Sequence, residues 1–205
     1  RSTLFPYTTL FRSASIWIIA SEEEALEGLK SATVEDNMDA TFLILDPNFG
    51  RNNRNYNAWT FEAANKNNAG DNSNFCVESY HSEFTMSQTV ENVPNGVYKM
   101  VAQGFYRQDG EDNENLPVFF INDVTSTFPL KTGNENSMAN ASVSFSSGLY
   151  TCEPMYVEVK DNTITVGAKL EGNTSLWCIW DNFELYYYGA DATIDQAKAA
   201  SLVED

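Results

Sequence analysis

The sequence predicts an all-β fold: an antiparallel β-sandwich with short helices at its flanks. From Thr41 onward, short apolar runs rich in Phe, Val, Ile, Tyr and Thr are divided by clusters of Asn, Gly, Asp and Pro, the texture of many short strands. Two pairs of such runs are joined by Asn-Gly or Asp-Asn, residues that tolerate the positive φ angles of tight turns. In the segment Leu176–Gly189, Phe183, Leu185 and Tyr187 alternate with Asn182, Glu184 and Tyr186. That period of two places one face of a strand on a core and the other toward water, and Gly189 stops it.

In chain order, residues 1–13 stand apart. Thr3 to Ser13 reads TLFPYTTLFRS and resembles the translation of a common short-read sequencing adapter, so the stretch is expected to be a metagenomic library artefact and is set aside as a tag would be. Residues 14–38 form a lead-in: Ile16 to Ile19 reads as a strand, and Ser21 followed by Glu24 is a capping-box pattern opening a helix over Glu22 to Ala32. Residues 39–190 read as the sandwich, with strands at Thr41–Leu45, Ala58–Glu62 and Phe75–Tyr80. One hairpin is expected from Glu83–Asn92 to Val97–Arg107 through Pro94-Asn95-Gly96, with Phe84, Met86, Gln88 and Val90 on one face. A second is expected from Met155–Lys160 to Thr163–Leu170 through Asp161-Asn162. Val118–Ile121, Thr125–Leu130 and Ala141–Phe145 add strands, and roughly ten in all suit two packed sheets. The aromatic run 176–189 is expected to shut the sandwich, leaving Tyr186 and Tyr188 on its less-buried face. Residues 191–205 begin a helical linker to a further module, with Thr193 and Gln196 forming a capping box.

The charge is strongly acidic, 29 Asp and Glu against 12 Lys and Arg, for a net charge of −17. Such a surface repels phosphate backbones and anionic membranes, so nucleic acid is not an expected partner. No run approaches the ~20 apolar residues of a membrane span, and membrane insertion is not expected. Cys76, Cys152 and Cys178 sit at no metal-ligand spacing; one disulfide with a free thiol, or three buried thiols, both fit. An enzyme is not expected: the chain has one His, no Gly-x-Ser-x-Gly elbow and no phosphate-cradling glycine loop. Carboxylates such as Glu62, Glu78, Glu83, Glu153 and Glu158 read as solvated strand faces rather than as a glycosidase pair.

Four motifs together carry a family resemblance: DATFLILDPNFG (Asp39–Gly50), AWTFEA (Ala58–Ala63), FTMSQTVENVPNGVYKMVAQGFYR (Phe84–Arg107) and SLWCIWDNFELYYYG (Ser175–Gly189). Their order and spacing resemble the galactose-binding-like jelly-roll domains of secreted and surface proteins of host-associated bacteria. The resemblance implies a non-catalytic, carbohydrate-binding-module-like domain of a larger extracellular or cell-surface protein, with glycans and neighbouring modules as partners. It equally allows an adhesive or spacer domain, since fold does not decide function. It also implies a possible structural calcium and no other cofactor. Asp46 and Asp181 could offer oxygen ligands, although Gly50 stands where an acidic residue would be expected.

Sugar recognition needs aromatic faces to stack on pyranose C–H surfaces and planar polar groups to pair with hydroxyls. Aromatic residues beside polar loops are therefore the candidates: Tyr56 and Trp59 by the Asn/Arg-rich loop 50–57, Tyr80 and His81 at a strand end, and Tyr106 and Arg107 leading into the acidic loop 108–115.

Overall fold

The computed structural model describes residues 16–50, 58–63, 69–71, 75–110 and 114–202. Eleven strands stand among them: β1 (Met38–Asp39), β2 (Thr60–Ala63), β3 (Ala69–Asp71), β4 (Val77–Tyr80), β5 (Phe84–Glu91), β6 (Gly96–Gln108), β7 (Val118–Ile121), β8 (Val124–Thr127), β9 (Met155–Val159), β10 (Thr163–Leu170) and β11 (Leu176–Tyr187). Three helices accompany them: α1 (Ile16–Leu29), α2 (Met138–Ser146) and α3 (Ile194–Ser201). One antiparallel sheet has the order β3-β4-β11-β6-β9, with β1 also on β11; the other runs β2-β5-β10-β7-β8. The fold is the expected all-β sandwich.

Both expected hairpins turn out to be arches between the sheets. β5 lies in the second sheet against β2 and β10, while β6 lies in the first against β11 and β9; β9 and β10 are divided in the same way. The left-handed residues are present, with Asn92 at φ 61°, Gly96 at φ 139° and Asn162 at φ 58°. They serve an arch as well as a hairpin, because a local turn does not specify which partner the outgoing strand meets. The two arches lock onto each other: Val93 N donates to Asn162 O at 3.1 Å, Asn162 N to Asn95 Oδ1 at 2.9 Å and Asn162 Nδ2 to Val93 O at 2.8 Å. A true two-residue hairpin joins β7 to β8 through Asn122-Asp123, pairing Ile121 with Val124.

Three further expectations change. Ile16 to Leu29 is one continuous helix, so Ile16–Ile19 is no strand and Ser21 and Glu24 fall inside the helix rather than capping it. Thr41–Leu43 is a 3-10 turn, because Asp39 Oδ1 takes the Thr41 N–H at 2.8 Å and draws the backbone out of an extended ladder. Ala141–Phe145 belongs to α2. Ser137 caps it by accepting from Asn140 N at 3.2 Å, and Met138, Ala141 and Phe145 recur at helical spacing and are buried. The capping box of Thr193 with Gln196 does open α3.

The main core lies between the sheets. Trp180 stacks on Phe84 with ring centroids 4.5 Å apart, Phe119 stacks on Phe128 at 4.0 Å, and Phe183 bridges Trp59 and Phe119. Gln88, the polar member of the inward face of β5, is satisfied by the backbone of Leu45, which donates to it at 2.7 Å and accepts from it at 2.9 Å. The outer face of the first sheet is apolar too. α2 covers one end over Cys76, Phe105, Trp177 and Ile179, and α3 covers the other over Val97, Tyr156 and Tyr188. Tyr188 is therefore buried, its hydroxyl 2.7 Å from Ser201 Oγ, whereas Tyr186 remains partly covered.

Gly104 shows how closely the sheets approach. A Cβ there would stand 2.7 Å from the Phe119 ring, 2.9 Å from Ile179 O and 3.1 Å from Trp180 Cβ. Gly104→Val is expected to cost about 2–4 kcal/mol through overpacking, read as a lower urea midpoint at unchanged slope. An unchanged midpoint would mean that the sheets are not held at this spacing.

Candidate functional site

β4, β11 and β6 lie side by side, and their register pairs Tyr80 with Trp177 and Trp177 with Arg107. Residues directly opposite one another share a face, so Tyr80, Trp177 and Arg107 form one row across three strands on the outer face of the first sheet. Glu78, two residues before Tyr80, shares that face. With Asn136, Ser137 and Met138 at the start of α2, these side chains line a shallow depression of about 450 Å³.

The row is fixed by its own contacts. The Arg107 guanidinium lies over the Trp177 ring, 4.4 Å from its centroid, a cation–π contact that helps leave Trp177 only 4% exposed. The Trp177 indole N–H donates to Glu78 Oε2 at 2.9 Å. Arg107 also grips Asp109 in a fork, through Nε to Oδ1 and through Nη2 to Oδ2, the latter at 2.6 Å. The guanidinium holds the Asp109 carboxyl below the usual carboxylate range. The same carboxylate is 3.2 Å from His81 Nε2.

His81 adopts φ 52°, a left-handed turn held by His81 N donating to Leu176 O at 2.9 Å and Ser79 Oγ to Ser82 O at 2.9 Å. The turn folds the imidazole back onto Tyr80, with ring centroids 4.0 Å apart and planes within 14°. Tyr80 is therefore clamped on one face while remaining 40% exposed. A flat, oriented aromatic beside a fixed guanidinium can stack on an apolar ring face and pair with hydroxyls.

Three of the six residues singled out from the sequence, Tyr80, His81 and Arg107, come together here. Trp59 does not join them: it is buried at 4% exposure between Phe49 and Phe183, its indole N–H on Asp46 O at 3.3 Å, so it is a core residue and no ligand platform. Tyr106, next to Arg107 on β6, points to the opposite face and packs against the main core. Tyr56 lies outside the described residues. Trp177 as the floor of the site, Asp109 as the clamp and the Asn136–Met138 wall emerge only from the structure. The spacing Arg107-x-Asp109 just past a strand end was the available signal for the clamp.

The acidic pair considered for calcium sits elsewhere, at the rim of the main core. Asp46 and Asp181 are both buried. Asp46 Oδ1 accepts from Gly50 N at 3.0 Å and Asp181 Oδ1 from Asn182 N at 2.8 Å, while Pro47 O takes the Phe183 N–H at 2.9 Å. No three acidic, His or Cys side chains converge among the described residues, so these groups do not by themselves supply the six to eight oxygens that calcium takes. Burial first, and then the nearby Asp46, raise the Asp181 carboxyl well above its ordinary value. A group raised in the folded state binds more protons folded than unfolded, so its contribution to stability falls as pH rises from about 4 through the folded value. Asp181→Asn is therefore expected to raise the melting temperature at pH 7.5, with the gain shrinking as pH approaches 4. A loss of stability at neutral pH, reproduced in the parent protein by EDTA, would instead show a bound cation.

No protein-family model matches the chain, and no curated protein matches it. Among solved structures, the chain is similar to a carbohydrate-binding module, TmCBM61, determined in complex with β-1,4-galactotriose. The identity is 17% over 70% of this chain and 97% of that one, with a TM-score of 0.40. It is also similar to two adhesin domains of Lys-gingipain from Porphyromonas gingivalis. The K3 domain is 14% identical over 62% of this chain and 91% of that one, with a TM-score of 0.32. The K1 domain is 13% identical over 75% and 94%, with a TM-score of 0.32. At such scores none of the three bears on what this chain binds.

Proposed function

We propose that this chain is a non-catalytic module of a secreted or cell-surface protein that binds uncharged carbohydrate in the depression floored by Trp177. The observation that carries the reading is the in-register row Tyr80, Trp177 and Arg107 across three strands, with Tyr80 clamped flat and exposed beside a fixed guanidinium. Sugars present the complementary chemistry: a weakly apolar ring face ringed by hydroxyls. The net charge of −17, with Glu78 and Asp109 flanking Arg107, disfavours uronic or sulfated chains. Among the described residues no helix is long and apolar enough to cross a membrane. An openly exposed site of this depth suits modest affinity that is raised by display beside other modules.

Titration against a panel of neutral polysaccharides, with polygalacturonan and a sulfated glycan as anionic comparators, tests the reading. At least one neutral glycan is expected to bind. Tyr80→Ala should lower that affinity roughly tenfold or more, as expected for loss of a stacking platform of ~1–3 kcal/mol, while the thermal midpoint stays put because the side chain is exposed. Absence of binding across the panel would favour a structural or adhesive spacer instead.

A further inference from the structure

Resting on the glycan reading above, we infer that Asp109 is the specificity-determining residue of the site. It occupies the anion-binding edge of Arg107, so that neutral chains are accepted and uronic or sulfated chains are refused.

An arginine lying on an aromatic floor at a protein surface is ordinarily an anion receptor. Its guanidinium offers a planar fork of N–H groups that matches a carboxylate or sulfate, and it stays charged at every working pH. Arg107 has that setting, 4.4 Å over the Trp177 ring and among the residues lining the depression. The fork is already filled. Nε and Nη2 donate to the two carboxylate oxygens of Asp109, the latter at 2.6 Å, which is the pairing that a uronate would make. Asp109 is in effect a ligand mimic carried on the chain. Nη1 takes no part in the fork, and its N–H groups remain donors on a guanidinium whose charge is already matched, a state that suits hydroxyls better than anions.

The mimic is held in place by more than Arg107. The Asp109 backbone N–H donates to Ser175 O at 2.9 Å, directly after Gln108 has paired with Leu176. The carboxylate is also 3.2 Å from His81 Nε2, and the side chain is only 16% exposed. The bond from Arg107 first, and that from His81 as well, keep the Asp109 carboxyl below its ordinary range against the opposing effect of burial. Asp109 is therefore charged wherever a uronate is charged. Glu78, which takes the Trp177 indole N–H at 2.9 Å, places a second carboxylate in the lining. An anion arriving at Arg107 meets fixed like charge, the repulsive element by which sites discriminate against a competing ligand.

Calorimetric titration at about 0.15 M salt tests the inference with two ligands, the neutral glycan that binds and polygalacturonan. The proteins are the parent, Asp109→Asn, Asp109→Ser and Glu91→Gln. Glu91 is exposed at the end of β5 in the second sheet, so its variant makes the same change in net charge away from the site. Both Asp109 variants are expected to gain roughly tenfold or more in affinity for polygalacturonan over the parent, and the gain should fade as salt is raised. Glu91→Gln should gain nothing, and adding Arg107→Gln to Asp109→Asn should remove the gain. Asp109 variants that gain no affinity for polygalacturonan, whether they keep or lose the neutral glycan, would overturn the inference while leaving glycan binding by the parent intact. Absence of binding by the parent to every neutral glycan would remove the glycan reading itself.

Discussion

The pairing of β6 with β11 at the centre of the first sheet is the constraint on which the rest depends. These are the two longest strands, Gly96–Gln108 and Leu176–Tyr187, and they run in register from Leu176 against Gln108 to Tyr187 against Tyr98, apart from an irregularity between Asp181 and Glu184. Both faces of the pair are buried over most of their length. Trp177 and Trp180, three residues apart on β11, project to opposite faces. Trp180 enters the main core on Phe84, and Trp177 floors the candidate site under Arg107. One strand thus builds the core and the site at once, and its placement fixes both.

Because the outer face of this sheet is apolar, it needs cover, and the cover explains where a site can exist. Phe105, Ile179 and Cys76 are completely buried by α2 and its surroundings, removing apolar area worth about 25 cal/mol per Å² from water. The first turn of the helix reaches Trp177 through Met138, and the charged end of the sheet completes the cover: Arg107 lies on the indole, Glu78 holds its N–H, and Asp109 fixes Arg107. The depression is the seam between a helix-covered apolar surface and a polar strand end. Its side walls therefore come from elements that stability already requires.

Much of this was legible in the sequence, and the failures share a cause. The strand at 176–187 and its stop at Gly189, the inward face Phe84, Met86, Gln88 and Val90, and the cap at Thr193 all rest on local periodicity or local capping, which sequence carries directly. Asn95-Gly96 and Asp161-Asn162 spell hairpins yet form arches, because left-handed turn residues announce a reversal without naming the partner strand. Ala141–Phe145 suits a strand by its sequence since a short apolar run with Val and Phe fits either period; Ser137 before it is what marks the helix. For the site, Tyr80, His81 and Arg107 stood out as polar-flanked aromatics and their neighbours. Trp59 stood out for the same reason and is core, because adjacency to a polar loop does not report which face a side chain takes. Trp177 is a packing residue that also floors the depression under Arg107, a relation that exists only once β6 and β11 are paired.

The four tryptophans, Trp17, Trp59, Trp177 and Trp180, give the most direct test, because each indole N–H gives its own resonance and three of them sit in described, distinct surroundings. Titrating isotope-labelled protein with the neutral glycan that binds should shift the Trp177 indole N–H and the Arg107 Nε–H together, saturating with one affinity, and leave the buried indoles of Trp59 and Trp180 in place. Saturable shifts at Trp59 or on the second sheet, with Trp177 unmoved, would contradict the central claim that the outward row of the β4-β11-β6 sheet is the binding surface.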